Sequence, residues 1–196
     1  MLMLISINLV LTEKGKKYFL IVDNKLSNKE IKQNSIYAGL QLQLPLYIRA
    51  ARLGLDGYEA AGGLYQPIKD VLVNSEDADQ ITAQIDKDLQ TTGMILDEDI
   101  IREAAKPVKI SQKRDTNDTV SAVTAEEIRL VEDCAMGAVT ERVNLIRSGD
   151  VSPRPVKDGM ESPCAWCDHP DGCKFDSTLP GCRITEIDHK RRIGIL

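Results

Sequence analysis

An α/β domain is the fold this sequence predicts. Three observations predict it: two apolar runs joined by a polar turn, an amphipathic helical stretch behind them, and a glycine-marked apolar run after that. The two runs lie within residues 2–22 and flank Thr12-Glu13-Lys14-Gly15-Lys16-Lys17, a polar segment with the glycine a tight reversal uses, so the pattern is a β-hairpin. In its first strand Ile5, Ile7, Leu9 and Leu11 share one face by the period of two, and Ser6 and Asn8 share the other. The second, Tyr18-Phe19-Leu20-Ile21-Val22, delivers Asp23, Asn24 and Lys25 to its end. After a polar loop, Leu40, Leu44, Tyr47, Ile48 and Ala51 recur at three- and four-residue steps and predict a helix over 36–53. Pro45 either bends that helix or falls in the first turn of one that starts near Leu44. Residues 60–68 then read as a strand, with Gly62 and Gly63 marking a bulge or a close approach, and the order so far is β-β-α-β.

Residues 74–119 are polar, with a helical patch near 97–105, and read as an insertion in a core domain spanning 1–150. A stronger helix begins after Thr124, which with Glu127 forms a capping pattern ahead of the stripe Ile128, Val131, Ala135 and Val139; it ends by Gly149. Residues 151–196 form a tail broken by Pro153, Pro155, Pro163 and Pro170, with neither helical nor strand period. Something other than a hydrophobic core must fix it.

Composition excludes several classes. A chain of 196 residues with 42% hydrophobic and 28% charged residues has the balance of a soluble globular domain. Its formal charge of -5 gives no global basic field for nucleic acid, so any contact with DNA must be local, as at Lys190, Arg191 and Arg192. Aromatics at 4% are too few for a base-stacking platform. The apolar opening, residues 1–11, is too short to span a bilayer and lacks a basic leader region, so the expectation is a cytoplasmic protein with no membrane partner. No Gly-x4-Gly-Lys-Ser/Thr loop is present to hold ATP phosphates.

Two constellations carry chemistry. Asp23-x-Lys25 closes a central strand, and Gln43 and Tyr47 lie four apart on one face of the next helix. Phosphodiester hydrolysis needs carboxylates that hold a divalent metal, an activated water, and a cation beside the developing charge. Asp23 can be the ligand and Lys25 the cation; taken singly, the same residues make an ordinary solvated pair and a polar helix stripe. The second constellation is Cys164, Cys167, Cys173 and Cys182, clustered without any secretion signal, which reads as a metal or iron-sulfur site rather than a disulfide framework. Cys134, alone on the predicted helix, reads as a small buried hydrophobe.

Ile21-Val22-Asp23-Asn24-Lys25 and Gln43-Leu44-Pro45-Leu46-Tyr47 resemble the Asp-Tyr-Lys and Gln-x3-Tyr motifs of the RecB-like branch of PD-(D/E)XK nucleases. Gly62-Gly63-Leu64-Tyr65 looks like that fold's next core strand, Gly93-Met94-Ile95-Leu96-Asp97 like a recurring segment beyond it, and Cys164-x2-Cys167-x5-Cys173-Lys174-Phe175-Asp176 like an iron-sulfur signature. In combination and order they resemble the C-terminal nuclease domain of the AddB family, over nearly the whole chain. The resemblance implies a restriction-endonuclease-like core, a mixed sheet flanked by helices, with a cysteine-stapled tail. It also implies DNA-end processing in double-strand-break repair by recombination, beside a helicase-nuclease partner of the AddA type. By resemblance Asp23 binds Mg²⁺, Lys25 assists the attacking water, Gln43 orients Lys25 or the water, and Tyr47 lies near the backbone phosphate. Cys164, Cys167 and Cys173 are three ligands of a [4Fe-4S] cluster. The family's fourth lies far upstream, which leaves Cys182 as the local substitute and zinc as an alternative occupant.

The sequence departs from the family at the strand before Asp23, where a metal-binding Asp belongs and Ser6 and Asn8 stand. Compensation would have to come from an acid elsewhere, such as Glu103. The expectations are an N-terminally truncated or degenerate copy and weak or absent nuclease activity in the isolated chain. Two other readings remain: a Cas4-like iron-sulfur exonuclease, to which the wording around Asp23 and Gln43 is less close, and a non-catalytic module that binds DNA ends or a partner.

Overall fold

A computed structural model of the protein describes residues 5–11, 15–73, 77–104, 110–111, 120–159, 162–180 and 182–187. Strands β1 (Ile5–Leu11) and β2 (Lys17–Lys25) form the expected antiparallel hairpin, with Gly15 at φ 78° in the turn. Two helices follow, α1 (Gln33–Tyr37) and α2 (Gln43–Gly54), and then β3 (Glu59–Pro67), which returns parallel to β2. The β-β-α-β order thus stands, but the helix expected over 36–53 is divided. Gly39 takes φ 80°, a left-handed turn between α1 and α2, and Pro45 falls in the first turn of α2, where its missing N–H has no intrahelical acceptor to lose.

The chain continues through α3 (Ala78–Asp88), β4 (Thr92–Leu96), α4 (Asp99–Ala104), β5 (Ile110–Ser111), β6 (Val120–Val123) and α5 (Ala125–Arg147). Among the described residues the sheet is mixed and six-stranded, ordered β1-β2-β3-β4-β6-β5. Thr92–Leu96, inside the stretch read as a polar insertion, is fully buried and pairs antiparallel with β3 and parallel with β6. The helix after Thr124 has the anticipated capping box, with reciprocal bonds between Thr124 and Glu127.

Helix α2 packs on β2 and β3, and α5 packs on α1, α2 and β3. The buried Glu132 of α5 accepts three bonds from Arg52 of α2, two at 3.2 Å from Nε and one at 2.6 Å from a terminal nitrogen, which fixes one helix on the other. The glycines of β3 serve close approach, as anticipated. A β-carbon on Gly62 would come within 2.2 Å of the Met94 carbonyl, and one on Gly63 within 2.9 Å of Leu44 and Ile48. Pairing of β2 with β3 slips between Phe19 and Leu20, which places a bulge at Ala61. These two features let α2 sit down on the sheet.

The tail has more structure than its sequence pattern suggests. β7 (Val156–Lys157) pairs parallel with β8 (Thr185–Glu186), and between them lie a 3₁₀ turn at Pro163–Trp166 and the short α6 (Pro170–Cys173). Ile187 is its buried anchor.

Candidate active site

Side chains alternate along a strand, so Asp23 and Lys25 share a face of β2 with Ile21. In the parallel pair Ile21 stands beside Gly63 and Asp23 beside Tyr65, and Gly63 meets α2; the Asp23 face is therefore the one α2 covers. That packing brings the first turns of α2 over Lys25. The Lys25 ammonium lies 2.8 Å from an Asp23 carboxylate oxygen and donates to the Gln43 side-chain carbonyl at 2.6 Å. The Gln43 amide in turn donates to the Tyr47 hydroxyl at 2.8 Å. All four residues singled out from the sequence thus stand in one connected chain, Asp23–Lys25–Gln43–Tyr47.

Asp23 is not at a strand end in solvent, as its place after the apolar run implied; it is fully buried within β2. Lys25 is close enough to count as an ion pair, yet neither carboxylate oxygen of Asp23 receives a hydrogen bond from any described residue. A buried carboxylate without hydrogen bonds costs several kcal/mol relative to one in water, roughly what a buried ion pair only just recovers. Retaining such a group suits a site that offers its oxygens to a cation.

Tyr65 completes the cluster, and nothing in the sequence pattern assigned it there. It is buried, stands beside Asp23 in the β2–β3 pairing, and its ring lies 5.7 Å from the Lys25 ammonium, a cation–π distance. Burial first, then the Asp23 charge and Tyr47, push its hydroxyl up to about 12, so it stays neutral. The signal that could have found it is the register of β3 on β2, which sequence periodicity does not fix.

The pairing of β1 with β2 settles which face of β1 meets Asp23. Ser6 pairs with Val22 and Asn8 with Leu20, so both point to the face opposite Asp23, and both are exposed. The β1 residue beside Asp23 is Ile5, followed on that face by Ile7 and Leu9. Glu103 is on α4, and the residue just before α4, Glu98, accepts a 2.7 Å bond from Tyr18, whose side chain is on the face of β2 opposite Asp23. Among the described residues no three His, Cys, Asp or Glu side chains gather closely enough to hold a metal ion. The Asp23 oxygens remain a fit for one cation, with a single carboxylate.

The same finding covers the cysteines, although Cys164, Cys167 and Cys173 do line one pocket of about 270 Å³, walled by Pro153, Pro155 and Phe175. Cys182 is half-buried and does not line it. His169 is exposed, and its backbone N–H donates to the Cys167 sulfur at 3.4 Å. Cys134 is half-buried against the core. Lys190, Arg191 and Arg192 lie outside the described residues.

No family model matches the chain. An AddB protein of Moorella thermoacetica, a component of an ATP-dependent helicase/deoxyribonuclease, is 30% identical over 193 residues, covering 88% of this chain and 16% of the relative. Its counterpart in Clostridium acetobutylicum is 29% identical over 198 residues, 92% of this chain and 17% of that protein. The chain is an AddB-like region. A third relative with the same name, from Clostridioides difficile, is 28% identical over 206 residues, 94% of this chain and 18% of its own length. The chain therefore spans about one sixth of the length of the AddB proteins it matches. Among the described residues no helix is long and apolar enough to cross a membrane.

Proposed function

We propose that the chain is a PD-(D/E)XK-type deoxyribonuclease domain of an AddB-like protein, acting on DNA ends in double-strand-break repair beside an AddA-type helicase partner. One observation carries this reading: a fully buried Asp23 whose oxygens take no hydrogen bond from the described residues, ion-paired at 2.8 Å to the Lys25 of the Lys25–Gln43–Tyr47 chain. Mg²⁺ held at Asp23 would supply Lewis-acid stabilisation of charge on the scissile phosphate. Lys25 keeps an ammonium beside that position and can steady both an attacking water and the negative charge that grows as it attacks. Gln43 takes one Lys25 proton as acceptor, which limits where the ammonium can point, and is itself aimed by Tyr47. In the tail, Cys164, Cys167 and Cys173 would hold a [4Fe-4S] cluster or zinc; three thiols lining one pocket supply the soft donors either needs.

Turnover should be low, because the β1 residue facing Asp23 is Ile5 and one carboxylate binds Mg²⁺ weakly. The test is degradation of linear DNA with Mg²⁺, alone and with an AddA-type partner. The expected result is slow cleavage that Asp23→Ala and Lys25→Ala both abolish. Cleavage that survives both substitutions would reject the site.

A second reading draws on the same apolar Ile5: a non-catalytic module that binds DNA ends or the partner. Absence of cleavage under both conditions, together with retained binding to labelled DNA ends, would favour it over the nuclease.

A further inference from the structure

Among the described residues two polar groups attract the Lys25 ammonium: the Asp23 carboxylate by charge at 2.8 Å, and the Gln43 side-chain carbonyl, which accepts a hydrogen bond from it at 2.6 Å. A long lysine side chain on a flexible four-carbon stem is not fixed by one ion pair and one hydrogen bond alone, and it loses substantial rotamer freedom by staying put. A third contact that narrows its other rotamers would hold it, and the ring of Tyr65 stands where such a contact is needed. The residue is 3% exposed, is carried on the strand parallel to β2, and its ring lies 5.7 Å from the ammonium. The adjacent strand thus sets a buried ring beside the ammonium, and the negative face of such a ring attracts a cation.

We propose that Tyr65 is a positioning residue whose ring, not its hydroxyl, holds Lys25 in line between Asp23 and Gln43. Its consequence for catalysis rests on the nuclease reading given above; the positioning itself does not. Three features favour a role beyond filling space. Residue 65 is the β3 position beside Asp23, so no other β3 side chain offers a ring there. Gly63, the next residue on the same face, has no side chain, because Leu44 and Ile48 press onto it. The helix that presses there is the one that presents Gln43 and Tyr47, so the site's floor and roof are set by one packing contact.

The test uses the whole chain with isotope-labelled lysine and glutamine side chains. In the unsubstituted protein the Lys25 ε-methylene protons should be shifted upfield by the ring and should show a proximity contact to the Gln43 amide. Absence of that shift overturns the proposal without any variant. Tyr65→Phe should preserve both signals. Tyr65→Met, which fills similar volume without a ring, should lose the shift and also the Gln43 contact. If the contact persists in Tyr65→Met, the ring merely packs and the proposal fails. Where the chain cleaves DNA, Tyr65→Met should lower kcat about tenfold, the size of one cation–π contact, with KM for DNA held and Tyr65→Phe near normal. Intact signals in a chain that cleaves nothing would reject the nuclease reading and leave the positioning role standing.

Discussion

At Asp23 and Lys25 the two charges are not equivalent, and that inequality can be measured. Asp23 is fully buried, whereas the Lys25 side chain is 20% exposed and has Gln43 as a second acceptor. Removing the ammonium would strand a buried carboxylate with no hydrogen bond; removing the carboxylate charge would leave a lysine that still reaches Gln43 and water. Lys25→Met should therefore destabilise the fold by about 3–5 kcal/mol, while Asp23→Asn should be within about 1 kcal/mol of neutral or stabilising. Urea unfolding midpoints at unchanged m-value give the comparison, and the reverse order would show that Asp23 is held by something other than Lys25. Four residues of the site are legible in the sequence because local spacing, two apart on a strand and four apart on a helix, lets them be matched to the motifs of the family the chain resembles; spacing alone reads as a solvated pair and a polar stripe. Tyr65 is not, because it joins them through the pairing of strands whose separation in sequence is long. For the same reason Ser6 and Asn8 stand out in the sequence where Ile5 belongs. Alternation says which residues share a face but not which face meets Asp23.

Among the elements, those with strong local signals match their sequence patterns: the hairpin, β3 with its glycines, and α5 behind its capping box. The start of α2 is one of two readings of Pro45, and the left-handed turn at Gly39 is what selects it. Strand β4 shows in the sequence only as a family-like segment, because five buried residues between polar flanks give too little periodicity, and β6, at four residues, leaves no readable signal. The glycines offer a test of how tightly these elements meet. At Gly62 a side chain would strike the β4 backbone, and its φ of 128° is one that L residues avoid. Gly62→Ala should cost roughly 3 kcal/mol or more. Gly137, inside α5 with nothing within 4 Å of its missing β-carbon, should behave oppositely, with Gly137→Ala stabilising by about 0.5–1 kcal/mol. Thermal unfolding of the two single variants reads both, and equal effects would mean that β3 and β4 have room to part.

The whole molecule is a well-packed sheet-and-helix core with a tail that has little core of its own. Residues 151–187 are mostly exposed among those described, and their restraints among those residues include the two-residue β7–β8 pairing, the buried Ile187, an ion pair at 3.8 Å from Lys32 to Asp158, and bonds from Ser152 and Arg154 to Asp150 just after α5. One short pairing, one apolar side chain and a few exposed polar contacts are thin support for a segment of that length, since each ordered residue costs about 1–2 kcal/mol of backbone entropy. The proline content reduces that cost without supplying attraction. What remains is the pocket lined by Cys164, Cys167 and Cys173, and metal coordination there would provide folding free energy that packing does not. The expected outcome is that anaerobically reconstituted protein carries iron and sulfide, or zinc, and that Cys173→Ser loses the metal and exposes the tail to protease while the core resists. Cys182→Ser separates the fourth ligand from the pocket's three: it should weaken metal retention if its thiol swings in, and leave it unchanged if another donor completes the site. Protein that holds no metal, with a tail equally resistant in Cys173→Ser, would return the three thiols to the ordinary surface and leave the short β7–β8 pairing as the tail's main support.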